Sequence, residues 1–480
     1  MKSKIKIILV LIFLITLKLN LYSQDKSQKI DELIKKYNEY NQFNGSALVA
    51  ENGKIILEKG YGYANIEWKI PNAPDTKFRL ASVTKQFTAM LTMQLVEQGK
   101  IKLDGKITDY LPYYPNKTAG EKVTVHNLLN HTSGIPNMTN DRDFMQNKIR
   151  DPYDVKDLVV NYCSKDLEFE PGTKWSYSNS GYVILGAIIE EVTGKKYEDV
   201  LKENILIPLD MSNSGYDHSS AIIENRASGY DKSPAGYTNT RYIDMSIPYS
   251  AGSMYSTVED LFKWDQALYT DKLVSKETKD KIFTNYMNDY GYGWQIKNLK
   301  IGNVNKNAVF HSGDIFGFTT LIKRYVDDNN CIILLSNSSN ANIDAIDKSV
   351  SAILYDQPYN MPKKSLSDIL YQSLFENTSQ DAISKFNELK KNKTEYYVDE
   401  NEINLMGYNL LNDGKIDKAI EVFKLNVENF PDSFNVYDSL GEAYMKKGDK
   451  ESAIKNYKKS IELNPQNEGA LKNLKTLQSN

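Results

Sequence analysis

Leu80-Ala81-Ser82-Val83-Thr84-Lys85-Gln86-Phe87-Thr88-Ala89 opens a segment whose apolar residues Val83, Phe87, Met90, Leu91 and Leu95 recur at helical spacing, with Gly99 where a helix would stop. The spacing predicts a buried helix from Ser82 to Gln98. A serine hydroxyl is a weak nucleophile until a base takes its proton, and a lysine one turn later sets an amine on the same side of the helix. At a helix N-terminus the free backbone N–H of Ser82 can donate to a developing oxyanion, and the positive end of the helix favours a neutral Lys85. By itself S-x-x-K is a weak signal, since it also falls at Ser3/Lys6, Ser23/Lys26 and Ser452/Lys455. The surroundings of Ser82 have to decide.

Upstream, a short helical stretch from Ile30 to Tyr40 leads into two apolar runs, Gly45–Ala50 and Ile55–Gly62, around Asn52-Gly53, the pattern of a β-hairpin. Downstream, helices are expected at Tyr182–Thr193 and Thr257–Leu268, and strands at Gly291–Ile296, Phe318–Tyr325 and Cys331–Asn337. Strands at both ends with helices between them predict an α/β (α+β) domain whose sheet is closed by chain-distant strands.

Two further elements carry chemistry. Pro171-Gly172-Thr173-Lys174-Trp175-Ser176-Tyr177-Ser178-Asn179 precedes an apolar helix. A phenol can relay a proton if a neighbouring cation lowers its pKa, and an asparagine can hold a substrate amide by donor and acceptor together. Y-x-N recurs at Tyr237/Asn239 and Tyr286/Asn288, so a loop with an exposed tyrosine is the competing reading. Phe310-His311-Ser312-Gly313-Asp314 precedes a late strand; Gly313 lets backbone approach a substrate, and the Asp314 N–H could complete an oxyanion hole with that of Ser82. A lone histidine is more often structural than catalytic.

Taken in order, Ser82-x-x-Lys85, Tyr177-x-Asn179 and His311-x-Gly313 resemble the serine β-lactamase and penicillin-binding-protein superfamily, in its class C, D-peptidase and esterase branch. Val125–Pro136, the Pro171-Gly172 lead-in and Ala251–Leu261 resemble that branch too, and the resemblance spans about Ile30 to Gln357. It implies an antiparallel sheet flanked by helices, a Ser82 acyl-enzyme, acid–base work shared by Lys85 and Tyr177, and substrate binding by Asn179, His311, Gly313 and Asp314. His311 departs from the lysine of the K-T-G motif, which shifts the expected substrate from a β-lactam toward a D-peptide or ester. The implied substrate is a small molecule or peptide: a peptidoglycan-like peptide, an ester or a β-lactam. His126 and His131 are assigned to folding or loop support, because neither H-x-H-x-D nor H-E-x-x-H occurs; no metal and no cofactor are expected. The sequence contains no G-x-S-x-G, which argues against an α/β-hydrolase.

At 480 residues the chain is long enough for two or three cores, and a net charge of −3 offers no polyanion-binding surface, so nucleic acid is not an expected partner. A basic flank, an apolar run from Ile7 to Leu17 and Ser23-Gln24 make residues 1–23 a signal peptide. The mature chain is then exported, periplasmic or secreted, with no transmembrane domain. Cys163 and Cys331, two cysteines in so long a chain, read as buried free thiols. Gly407, Leu410, Gly414, Ala419, Phe423 and Pro431 recur as Gly441, Tyr444, Gly448, Ala453, Tyr457 and Pro465, the 34-residue tetratricopeptide period. The expected plan is a catalytic domain over 26–358, a helical linker or degenerate repeat over 359–396 and an all-α repeat domain over 397–480, with a protein or peptide partner at the repeats. The competing reading makes the repeats the working part and the first domain a penicillin-binding or peptide-binding scaffold with little turnover.

Overall fold

The structure, a computed structural model, describes residues 25–339 and 341–479. The expected leader, residues 1–23, lies outside them. The described chain divides into two compact units: residues up to Asp231 with Asn239–Met361, and Lys232–Thr238 with the chain from Pro362 onward. No helix among the described residues is long and apolar enough to cross a membrane.

The first unit is built, among its described residues, on a six-stranded antiparallel sheet. Its strands are β1 (Gly45–Glu51), β2 (Lys54–Tyr61), β3 (Gln295–Ile301), β4 (Val304–Ile315), β5 (Phe318–Tyr325) and β6 (Asn330–Ser336), in the order β3-β4-β5-β6-β1-β2. Asn52 and Gly53 turn β1 into β2 with φ of 52° and 72°, the left-handed pair that matches strand twist. β1 then pairs with β6, Ala47 opposite Leu334, so the early hairpin and the late strands close one sheet.

Both faces of that sheet are covered, which is why Ile332-Ile333-Leu334-Leu335 is an unbroken apolar run rather than an alternating one. On one side α1 (residues 25–39) and α2 (Ile343–Leu354) bring Ile30, Leu33, Ile346 and Val350 onto Ala47, Val49, Ile332 and Leu334. On the other, α3 (Thr84–Glu97), α4 (Asn179–Thr193) and α5 (Val258–Ala267) bury Phe87, Ile184 and Trp264 with Leu48, Ile333 and Leu335. Phe87 and Trp264 stack at 4.3 Å, and the indole N–H donates to Gln86 Oε1 at 3.0 Å. Neighbours on β5 point to opposite faces. Arg324 meets Asp265 of α5 (Nε to Oδ1, 2.6 Å) and Lys323 meets Asp347 of α2, so each layer of helices is tied to the same strand by a buried ion pair.

Several expected bounds move. The helix after Tyr177 begins at Asn179, because the Ser178 hydroxyl accepts the Gly181 N–H at 3.3 Å and caps it. Residues 291–294 form a turn instead of a strand, closed by the Gly291 N–H to Trp294 O bond at 2.8 Å, and β3 starts only at Gln295. His311–Asp314 lie within β4 rather than ahead of a strand. Cys163 and Cys331 are free and buried.

The second unit is helical. Leu366–Glu376 and Ser379–Leu389 form a pair whose Leu370, Leu374 and Phe386 share a core with Met406, Leu410 and Phe423 of the next pair, Glu400–Asn412 and Ile416–Asn429. Phe434–Lys447 and Lys450–Leu463 repeat the arrangement. Phe423 packs on Gly407 and Tyr457 on Gly441, one aromatic against one glycine in each repeat.

Asp265→Ala strands a guanidinium in the core. The expected loss of unfolding free energy is about 3–5 kcal/mol, measurable by urea denaturation; a loss below about 1 kcal/mol would mean that water reaches Arg324.

Candidate active site

Ser82 sits in a single 3-10 turn, Ala81–Val83, immediately before α3 rather than inside it. The chain enters that turn through Ala81 at φ 49°, a left-handed conformation that costs a residue with a side chain about 1–3 kcal/mol and persists only where its surroundings over-determine it. They do so on both sides. The Leu80 N–H donates to Met254 O at 2.8 Å, and the Thr320 hydroxyl of β5 donates to Leu80 O at 2.8 Å. Ser82 is left half-buried while Val83, Thr84 and Lys85 are enclosed.

Lys85 has no exposed surface. Its Nζ lies 3.0 Å from Ser82 Oγ, 2.8 Å from Asn179 Oδ1 and 2.8 Å from the carbonyl of Ala251. Burial pushes its ammonium well below the ordinary lysine value. The two carbonyl oxygens can only accept, so they take two N–H bonds. In the neutral amine the remaining lone pair then faces the Ser82 hydroxyl, the geometry of a general base.

Tyr177 Oη lies 2.8 Å from the same Ser82 Oγ. Desolvation raises this phenol above its ordinary value, so the cation-lowered phenol of the sequence reading is not what the site holds: Tyr177 is a neutral donor. Its ring rests on His131, 4.4 Å between centroids, and His131 also meets Tyr182 and Tyr290 at 5.2 and 4.7 Å. Nδ1 of His131 accepts the Ser178 N–H at 3.2 Å, which fixes its proton on Nε2 and locks the loop carrying Tyr177. Asn179, the first residue of α4, gives its Oδ1 to Lys85 and donates from Nδ2 to Thr139 Oγ1 at 3.1 Å. Sequence reasoning missed Thr139, which belongs to no motif, and the Ala251 carbonyl, since a backbone acceptor leaves no side-chain signal.

β4 passes directly over the Ser82 turn. A Cβ on Gly313 would sit 2.2 Å from Leu80 O, so only glycine allows this approach. Beyond Phe310 the strand has no partner on its β3 side among the described residues, since pairing with β3 ends at Gln295 opposite Phe310. Asp314 therefore lies on an open edge, beside Ser82. His311 is turned inward and is 3% exposed. It must donate from Nδ1 to Ser312 O at 2.6 Å and accept the Tyr290 hydroxyl at Nε2, 2.9 Å away. Burial pushes its imidazole down to about 3. The sequence reading grouped it with substrate-binding residues; its place in the structure is behind the site, as a neutral ring.

A cavity of about 180 Å³ opens beside Ser82, with Thr139, Asn179 and Asp314 as its other polar lining; His311 and Gly313 do not line it. A larger cleft of about 630 Å³, with Tyr197, Glu198, Tyr216 and His218 in its wall, holds none of the candidate residues. Chemistry, not volume, singles out the smaller one. Among the described residues no cluster of three or more His, Cys, Asp or Glu side chains could hold a metal ion.

A histidine with a folded pKa below its unfolded value contributes stability that is full above about pH 6.5 and is lost as pH falls toward 3. Denaturation of wild type and His311→Gln across this range should show the wild-type advantage shrinking by up to about 1.4 kcal/mol per pH unit on acidification. A difference that stays flat would mean that His311 is protonated in the folded protein.

The chain matches the profile of the Beta-lactamase family over residues 30–355 and that of the tetratricopeptide repeat over residues 434–467. Penicillin-binding protein 4* of Bacillus subtilis (strain 168) is 34% identical over 369 residues, 71% of this chain and 79% of that protein. A penicillin-binding protein from Bacillus halodurans superposes with a TM-score of 0.60 at 27% identity, covering 67% of this chain and 98% of that one. D-amino acid amidase from Ochrobactrum anthropi SV3, complexed with L-phenylalanine amide, superposes with a TM-score of 0.60 at 25% identity, over 69% and 99%. With Lys85 and Tyr177 gathered on Ser82 and this likeness over two thirds of its length, the chain belongs to the Beta-lactamase family, a penicillin-binding-protein-like serine hydrolase fold followed by a tetratricopeptide-repeat region.

Proposed function

We propose that the protein is an exported serine hydrolase that works through an acyl-enzyme on Ser82, with Lys85 and Tyr177 as acid–base residues and Asn179 and Asp314 on the substrate. The observation that carries this reading is the convergence on Ser82 Oγ of Lys85 Nζ at 3.0 Å and Tyr177 Oη at 2.8 Å. Ser82 Oγ attacks the carbonyl carbon of an ester or amide while its proton passes to the Lys85 amine. The oxyanion collects the backbone N–H groups of Ser82 and Asp314. As the bond to the leaving oxygen or nitrogen breaks, Tyr177 protonates that atom and recovers a proton from Lys85. Water then attacks the Ser82 ester, giving its proton back through the same pair and releasing the acid. A neutral His311, where related lactamases place a cationic lysine, favours D-peptidase or esterase chemistry over β-lactam turnover.

The domain plan goes with it: residues 1–23 as a signal peptide, 26–358 as the catalytic domain, 359–396 as a linker or degenerate repeat, and 397–480 as repeats for a protein or peptide partner. The mature protein works in the periplasm or is secreted, and N-terminal sequencing of exported protein should read a new end near residue 24.

A fluorophosphonate should label Ser82, and Ser82→Ala should lose both the label and p-nitrophenyl ester turnover. Lys85→Met and Tyr177→Phe should lower kcat by about 10²–10⁴. A folded wild type that takes no label and turns over no ester, amide or penicillin would sink the reading and leave the repeats as the working part.

A further inference from the structure

The cavity beside Ser82 has mostly apolar walls, Met138, Met145, Ile243, Ile247, Ile315 and Phe316 among them. Among the described residues lining it there is no lysine, arginine or histidine. Its one charged lining side chain is Asp314, exposed at the mouth, with Oδ1 taking the Thr319 hydroxyl at 3.2 Å and no ion pair among the described residues. The basic groups Lys85, His311 and Arg241 each have another partner. Lys85 stands behind Ser82 Oγ with two carbonyls on its amine. His311 faces Tyr290. The Arg241 guanidinium lies 3.8 Å from the Phe316 ring centroid, outside the lining.

A carboxylate brought into this cavity would meet mostly apolar walls, with Ser82, Thr139 and Asn179 as uncharged polar groups and no cation among the described lining residues, and Asp314 carries its own sign. Each methylene moved from water onto such walls favours binding about fourfold. We propose that the site selects acyl donors that are uncharged where they meet Asp314, short apolar esters or amides, and rejects donors carrying a carboxylate there, with Asp314 as the specificity-determining residue. This rests on the acyl-enzyme reading of Ser82. The volume of about 180 Å³ limits the apolar group to a short chain. Rejection acts on binding and on the transition state alike, because the repelled charge stays in place while the Ser82 ester forms and the leaving alcohol or amine departs with its proton.

The test uses the full chain and two esters of equal length, p-nitrophenyl butyrate and the p-nitrophenyl hemiester of succinic acid. The expected kcat/KM for butyrate exceeds that for the hemisuccinate at least tenfold, the order of effect of two like charges a few ångströms apart at intermediate dielectric. In Asp314→Asn that ratio should fall about tenfold. Because the repulsion is electrostatic, raising salt from about 0.02 M to 1 M should narrow the ratio in the wild type as well. Arg241→Ala should leave the ratio in place. Equal turnover of the two esters, a hemisuccinate preference, or a preference abolished by Arg241→Ala overturns the proposal while the acyl-enzyme stands. Absence of Ser82-dependent turnover of either ester, with no fluorophosphonate label, overturns both.

Discussion

An amine with no exposed surface has to find its acceptors inside the protein, and Lys85 finds them on three chain segments: Ser82 one turn away, Asn179 at the start of α4, and Ala251 in the short helical turn Tyr249–Gly252. No carboxylate is among them. A paired acid would have held the lysine charged; two neutral carbonyls satisfy its N–H groups while leaving burial free to favour the uncharged form. The same three contacts fix where the helix, the Tyr177 loop and the 249–252 segment must lie relative to one another. The position of the Lys85 amine and the packing of the helical half of the unit are therefore one constraint.

Ser82 is held by a different set of forces. Its turn runs through a strained Ala81, and that conformation is maintained by backbone and hydroxyl bonds to Leu80 from Met254 on one side and Thr320 on the other. Gly313 then lets β4 come within contact of the turn. Since β5 is also the strand anchored to helices on both faces through Lys323 and Arg324, the seat of Ser82 inherits the rigidity of the sheet. His131, under Tyr177, does for the phenol what these bonds do for the serine. It is a packing residue whose tautomer is set by one backbone N–H and whose ring supports that of Tyr177.

Some of this was readable from residue order. Asn52-Gly53 announced a hairpin because two consecutive left-handed residues are accepted there and in few other places. The apolar period after Ser82 announced a buried helix, and the 34-residue recurrence of glycine, alanine and aromatic residues announced stacked helical pairs. Where the reading slipped, a local hydrogen bond had changed the outcome. A serine cap began α4 three residues early, and a turn closed on Trp294 displaced the start of β3. Such bonds depend on where side chains and carbonyls meet, which a hydrophobic period does not encode.

The sequence by itself determined the family, through that resemblance the antiparallel sheet with its helices, the repeats, and the candidate set Ser82, Lys85, Tyr177 and Asn179, because each motif rests on residue type at short spacing and short spacing survives folding unchanged. Only the tertiary structure decided that Ala251 and Thr139 complete the set, that Tyr177 is a neutral donor, and that His311 faces inward while Asp314 faces the cavity. Those outcomes are set by burial and by contacts between residues tens to hundreds of positions apart. Desolvation and carbonyl orientation exist only once the chain has closed around them.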